Sequence, residues 1–174
     1  MLELFFVDET TMTLDFPIRC CWMKRAQQMA LPAAGKTRDY LHWIGAYNWL
    51  QDTIEALCVP RKTSSNFIRF LEYLLVQRVP DGPVVLVLDN ASYHHAADVQ
   101  ACLSLFQDRV MVVWLPPYSP DLNPIERFWL FLKNEVCANC LYPSLPVLQT
   151  AVEQLFVTQN DPSSRRFSLA RDFR

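Results

Sequence analysis

Three acidic residues stand where their types and positions could do chemistry: Asp8, Asp89 and Glu126. Asp8 closes the short apolar run of residues 2–7, and Asp89 closes residues 84–88, the most hydrophobic run of the chain. Glu126 follows Asn123-Pro124 in the first turn of an expected helix. Open α/β sheets carry their chemistry at the carboxyl ends of strands, where two aspartates on neighbouring strands can lie side by side. Side chains alternate along a strand, so Asp8 and Glu9 point opposite ways. Asp8 is the inward one, because Val7 and Glu9 share the other face. Three converging carboxylates repel unless some are protonated or a cation neutralises them. Oxygen ligands favour Mg²⁺ or Mn²⁺, and two such ions about 4 Å apart can clamp the attacking and leaving oxygens of a phosphodiester displacement. Plainer readings of the same residues stand beside this one. Glu126, three residues after Asn123, also suits a capping box. Asp8 and Asp89 suit turns that follow strands. His94 and His95 suit either metal ligation or the first turn of the next helix.

The elements that would hold these residues can be read from periodicity. Residues 2–7 read as a buried strand, 10–13 as a turn, and 12–22 and 40–59 as further strands with a hairpin near 47–52. Thr63-Ser64-Ser65 offers an N-cap to a helix carrying Phe67, Phe70, Leu71 and Leu74, which ends at the turn cluster 79–83. Residues 84–88 form an unbroken aliphatic run, expected of a central strand covered on both faces. Val99, Cys102, Leu103 and Phe106 mark an amphipathic helix, and 110–115 another buried strand. Pro116-Pro117-Tyr118-Ser119-Pro120 is a stiff connector into the helix of Ile125, Phe128, Trp129, Leu132 and Val136. A last helix is expected from about 145 to 157, then a flexible basic tail over 161–174. The order predicts an α/β fold, a mixed sheet with helices on both faces.

The chain has 174 residues, 51% apolar and 20% charged, enough for one globular domain, expected over 1–160. Three glycines cannot write a dinucleotide-binding or Walker A loop, so those nucleotide-binding classes are excluded. No apolar run is long enough to cross a bilayer and no basic leader opens the chain, so a cytoplasmic setting is expected. The net charge of −2 argues against coating nucleic acid by bulk electrostatics. A local basic patch does occur, however: Arg19, Lys24, Arg25, Lys36 and Arg38 lie in an acid-free stretch, readable as a DNA contact or as a solvated loop. Among six cysteines, Cys137 and Cys140 have C-x-x-C spacing; idle thiols are expected rather than a zinc site.

The wording around the acids resembles a known family. Val87-Leu88-Asp89-Asn90-Ala91-Ser92-Tyr93-His94-His95 and Leu115-Pro116-Pro117-Tyr118-Ser119-Pro120-Asp121-Leu122-Asn123-Pro124-Ile125-Glu126 resemble the second and third catalytic blocks of DDE transposases. Within these they are similar to the insertion-sequence-630 branch of the Tc/mariner superfamily, and Phe6-Val7-Asp8-Glu9 resembles the first block. The spacing agrees: 126 − 89 = 37, leaving 36 residues between the second and third acids. Arg127-Phe128-Trp129-Leu130-Phe131-Leu132-Lys133 continues the match. The resemblance implies a ribonuclease H-like fold, a five-stranded sheet of order 3-2-1-4-5. It implies that Asp8, Asp89 and Glu126 bind two Mg²⁺ or Mn²⁺ ions and cut double-stranded DNA at an element's ends. The freed 3′-hydroxyl would then join target DNA. Asn90, His94 and Lys133 are the supporting residues it singles out. In place of the glycine that often precedes the tryptophan of the second strand, Cys21 precedes Trp22. The expected partners are DNA in the prokaryotic nucleoid and a second copy, a full-length transposase or a separately encoded DNA-binding half. No N-terminal helix-turn-helix domain is expected in the chain, so end recognition should come from elsewhere. The alternative is a catalytically idle remnant or regulatory subunit that dimerises with a full-length transposase.

Overall fold

A computed structural model of the protein describes residues 1–14, 40–117, 119–138 and 140–169. Its frame is a five-stranded sheet built from β1 (Glu3–Thr13), β2 (Tyr40–Asn48), β3 (Thr53–Val59), β4 (Val84–Leu88) and β5 (Val110–Trp114). The spatial order is β3-β2-β1-β4-β5. β1–β2 and β2–β3 pair antiparallel, whereas β1–β4 and β4–β5 pair parallel. The sheet therefore has the mixed 3-2-1-4-5 arrangement that the family resemblance implied.

Helices cover both faces. α1 (Ser64–Glu72) and α2 (Ala97–Ser104) pack on one face, against Phe5, Val7, Leu86 and Leu88. α3 (Ile125–Leu132) and α4 (Leu145–Asn160) pack on the other, against Met12, Trp43 and Tyr47. The Thr63 hydroxyl accepts from Asn66 N, as the cap chemistry predicted, and α1 runs on into a wider π turn, Tyr73–Arg78. Gly82 enters β4 with φ of 89°, a backbone conformation that side-chain-bearing residues resist.

Several expectations are corrected. Residues 10–13 are not a turn: β1 continues to Thr13, pairing Thr10 with Trp43 and Met12 with Leu41. The alternation of Thr and Met suits a strand with one buried face, and Thr10 and Met12 are both buried. The strand expected over 12–22 contributes only the end of β1; the rest lies outside the described residues. β5 is an edge strand rather than a buried one, with Met111 63% and Val113 42% exposed on the α3 face. The tail expected to be flexible from 161 packs back through 169. Leu169 is fully buried, Phe167 stacks on Phe131 at 5.0 Å, and Ser168 Oγ donates to Asp52 Oδ2 at 2.5 Å. Buried Gln159 braces this segment, its Nε2 donating to the carbonyls of Asp52 and Phe167.

Candidate active site

The parallel pairing of β1 with β4 sets Phe6 opposite Val87. Asp8 and Asp89 each lie two residues further on. They therefore leave the sheet level with one another, on strands about 5 Å apart. Both fall in the same phase as Phe6 and Val87, on the face that carries α3. Across the other neighbour of β1, Asp8 stands opposite Gly45. A Cβ at Gly45 would meet the Trp129 ring at 2.6 Å, so the bare glycine is what lets α3 settle onto the sheet. The start of α3 is tied down separately, because Asn123 Nδ2 donates to the Val7 carbonyl at 3.2 Å. Pro124, not Asn123, stands at the N-cap position of α3, and its φ of −60° is already helical.

Glu126 sits in the first turn of that anchored helix. It lines two pockets. One, of about 430 Å³, also contains Asp89, Asn90, Pro116, Pro117 and Ser119. The other, of about 340 Å³, is lined by Asp8, Thr10, Trp129 and Lys133, with Glu9 following Asp8 along its wall while its carboxylate is bonded to buried His94. Glu126 is thus shared between the Asp89 pocket and the Asp8 pocket, and the charges of both Asp89 and Glu126 reach Asp8.

Their protonation differs. Burial, followed by the Glu9 charge, pushes Asp8 up to about 7, and the Asp89 and Glu126 carboxylates add to it. Asp89 goes the other way: the bond from His94 holds it below the ordinary carboxylate range, more than offsetting burial. Burial works against a charge on His94, but its bonds to Asp89 and Glu9 win and push it up to about 9. Burial lowers Lys133, and the nearby Lys62 charge lowers it further. Among the described residues, no three His, Cys, Asp or Glu side chains lie close enough together to hold a metal ion as they stand. The chemistry of the donors nevertheless suits a hard divalent ion: it is all oxygen, and the burial and neighbouring charges that push the Asp8 pKa up are what a cation would offset.

Of the supporting residues, Lys133 lies on the wall of the Asp8 pocket. Asn90 lines the Asp89 pocket but is held by its neighbours, donating to the Leu115 carbonyl and lying 3.2 Å from His95 Nε2. His95 stacks on Trp114 at 4.2 Å. His94 is no free ligand: it is buried in a 3₁₀ turn, Ser92–His95, with both ring nitrogens on carboxylates. The capping-box alternative for Glu126 fails at its partner, since the Asn123 side chain is turned to Val7. Arg19, Lys24, Arg25, Lys36, Arg38, Cys20 and Cys21 lie outside the described residues. Cys137 is buried and Cys140 exposed, both as free thiols. Glu9, Gly45 and Lys62 were missed. Alternation had turned Glu9 away from Asp8, and nothing local signals a histidine 85 residues on.

Over residues 3–149 the chain matches the family described as DDE superfamily endonuclease. The chain belongs to that family. This DDE endonuclease chain is 25% identical over 168 residues to the "Insertion element IS630 uncharacterized 39 kDa protein" of Shigella sonnei, covering 97% of the chain and 48% of that protein. A second relative, the "Uncharacterized protein y4pE/y4sA" of Sinorhizobium fredii, is 34% identical over 65 residues, covering 37% of the chain and 44% of that protein. The chain spans about half the length of the curated relatives it matches. Its fold is similar to that of the "Mos1 mariner paired end complex with Mn", with a TM-score of 0.66 at 17% identity, covering 95% of the chain and 50% of that chain. At that identity the likeness speaks for the fold, that of transposase catalytic domains. No helix among the described residues is long and apolar enough to cross a membrane.

Proposed function

We propose that this DDE endonuclease chain is the catalytic domain of a transposase, cutting double-stranded DNA at the ends of an insertion element and joining the freed 3′-hydroxyl to target DNA. The observation that carries the reading is the level register of Asp8 and Asp89, with Glu126 lining both the Asp89 pocket and the Asp8 pocket. A relative named for an insertion element, and a fold neighbour named as a mariner complex with Mn, support it.

In this reading Asp8, Asp89 and Glu126 hold two Mg²⁺ or Mn²⁺ ions. When bound, such ions supply the charge that stabilises the oxygens entering and leaving phosphorus in an in-line displacement. The protein's own contribution is placement. β1 and β4 fix the aspartates, while Asn123 and the Gly45–Trp129 contact fix the height of α3 and hence of Glu126. Pro116 and Pro117 stiffen the Asp89 pocket. Lys133, in the wall of the Asp8 pocket, draws the phosphate backbone toward the carboxylates. Residues 1–160, with the docked segment to Leu169, form the catalytic unit, and recognition of the element's ends belongs to a partner or to a further DNA-binding segment.

The test is nicking of supercoiled plasmid in Mn²⁺ by the protein and by an Asp89→Asn variant. The unaltered protein should nick and the variant should not. Equal nicking by both overturns the assignment. Two folded proteins that both fail to nick favour a regulatory subunit that pairs with a full-length transposase.

A further inference from the structure

Glu9 occupies a costly position. It follows Asp8 on β1 but projects to the opposite face, beneath α1 and α2, where its side chain is only 6% exposed. A carboxylate buried among apolar groups is unfavourable unless it is paired and hydrogen-bonded. Its partner is the fully buried His94, whose Nε2 donates to Glu9 Oε1 at 3.0 Å. The other ring nitrogen, Nδ1, lies 2.9 Å from Asp89 Oδ1. Phe67, 4.2 Å away between ring centroids, and Tyr93, 4.5 Å away, hold the imidazole plane. Asp89 Oδ1 also accepts from Ala91 N at 3.0 Å. One oxygen of Asp89 is therefore occupied by two donors, which leaves Oδ2 for the pocket.

We propose that Glu9, acting through His94, is a positioning residue that fixes the rotamer of Asp89 so that its Oδ2 faces the pocket, and thereby sets the affinity for the divalent ion. The proposal rests on the metal-binding role given to Asp89 above. Partners behind a metal ligand typically change affinity by about 10- to 100-fold when removed. A Glu9–His94 pair that merely pinned the 3₁₀ turn to β1 would affect folding and leave metal affinity alone.

The experiment measures Mn²⁺ affinity by electron paramagnetic resonance for the unaltered protein, Glu9→Ala, Glu9→Gln, Asp89→Asn and the Glu9→Ala/Asp89→Asn double variant. Melting in EDTA establishes that each is folded. Glu9→Ala should weaken Mn²⁺ binding by about tenfold or more. Glu9→Gln still accepts a hydrogen bond from His94 and should stay within about threefold of the unaltered protein. In the Asp89→Asn background the Glu9→Ala change should add nothing. Undiminished binding by Glu9→Ala, or an equal loss in both backgrounds, overturns the proposal while leaving Asp89 as a ligand. Binding that is indifferent to Asp89→Asn overturns the underlying site as well. Should Glu9→Ala not fold, the unaltered protein supplies the answer: saturating Mg²⁺ should shift the ¹⁵N resonances of both His94 ring nitrogens, and an unmoved spectrum rejects the coupling.

Discussion

Trp129 lies over Gly45 so closely that a single added methyl group on the glycine would come within 2.6 Å of the indole. Gly45 pairs with Asp8 across β1 and β2, and Trp129 follows Glu126 by three residues on α3. One close contact thus governs the distance between two of the three carboxylates. Gly45→Ala should force α3 outward. Overpacking of this kind costs about 1–3 kcal/mol, or roughly 2–12 °C in Tm for a chain of this size. Mn²⁺ affinity should fall as well, and Trp129→Leu in the same chain should recover part of both losses. Differential scanning fluorimetry and Mn²⁺ titration check this; an unchanged Tm and affinity in Gly45→Ala would refute the packing argument.

Divalent metal should stabilise the protein by binding the folded state alone. Asp8→Asn removes one repelling carboxylate, so it should raise Tm in EDTA and shrink the increment gained from Mg²⁺ or Mn²⁺. An identical metal increment in both proteins would count against a shared site.

Stability without metal should depend on pH with a defined sign. Asp8 is raised from 3.8 to about 7 on folding, so its favourable contribution is complete below about pH 4 and is lost as pH rises through 7. His94, raised from 6.5 to about 9, contributes fully below about 6.5 and loses that contribution through 9. Asp89 is lowered, so its contribution is present above the ordinary carboxylate range and disappears in acid. Melting in EDTA should therefore decline from about pH 4 to 9, with a separate loss in strong acid. Asp8→Asn should flatten the limb between about 4 and 7; a limb that survives this change assigns it to another group.

Lys133→Met should weaken DNA binding alike for every sequence and reduce the salt slope of log K by about one, as loss of a single phosphate contact does. Fluorescence anisotropy across a salt series measures this, and an unchanged slope removes Lys133 from the DNA surface.

Leu169→Ala tests the docked C-terminal segment. The side chain is fully buried against the α3–α4 layer, so its truncation should cost about 2–5 kcal/mol. Mn²⁺ affinity should hold, since the residue lines neither of the pockets that carry the acids. A loss of affinity would tie the segment to the site.

Much of this was written in local pattern. The aliphatic run 84–88, the Thr63 cap and the apolar stripe of α3 each fix an element by contacts within a few residues, and each formed where its periodicity predicted. The acids closing those elements, and the long motif around Asp89 and Glu126, carried the family in the sequence alone. Pairing and layering were not legible in the same way, because they depend on residues far apart in the chain. Thr10 and Met12 became strand only because β2 lay alongside, and β5 became an edge because β4 pairs with one side of it alone among the described strands. The side chain of Asn123 abandoned its helix end for a carbonyl 116 residues away. Glu9 found its histidine only when β1 and β4 were zipped in parallel, which carried the turn after β4 beneath the far side of β1. Short-range periodicity selects helix or strand, but which buried charges meet is set by the register of strands, an energy the chain acquires only once it has folded.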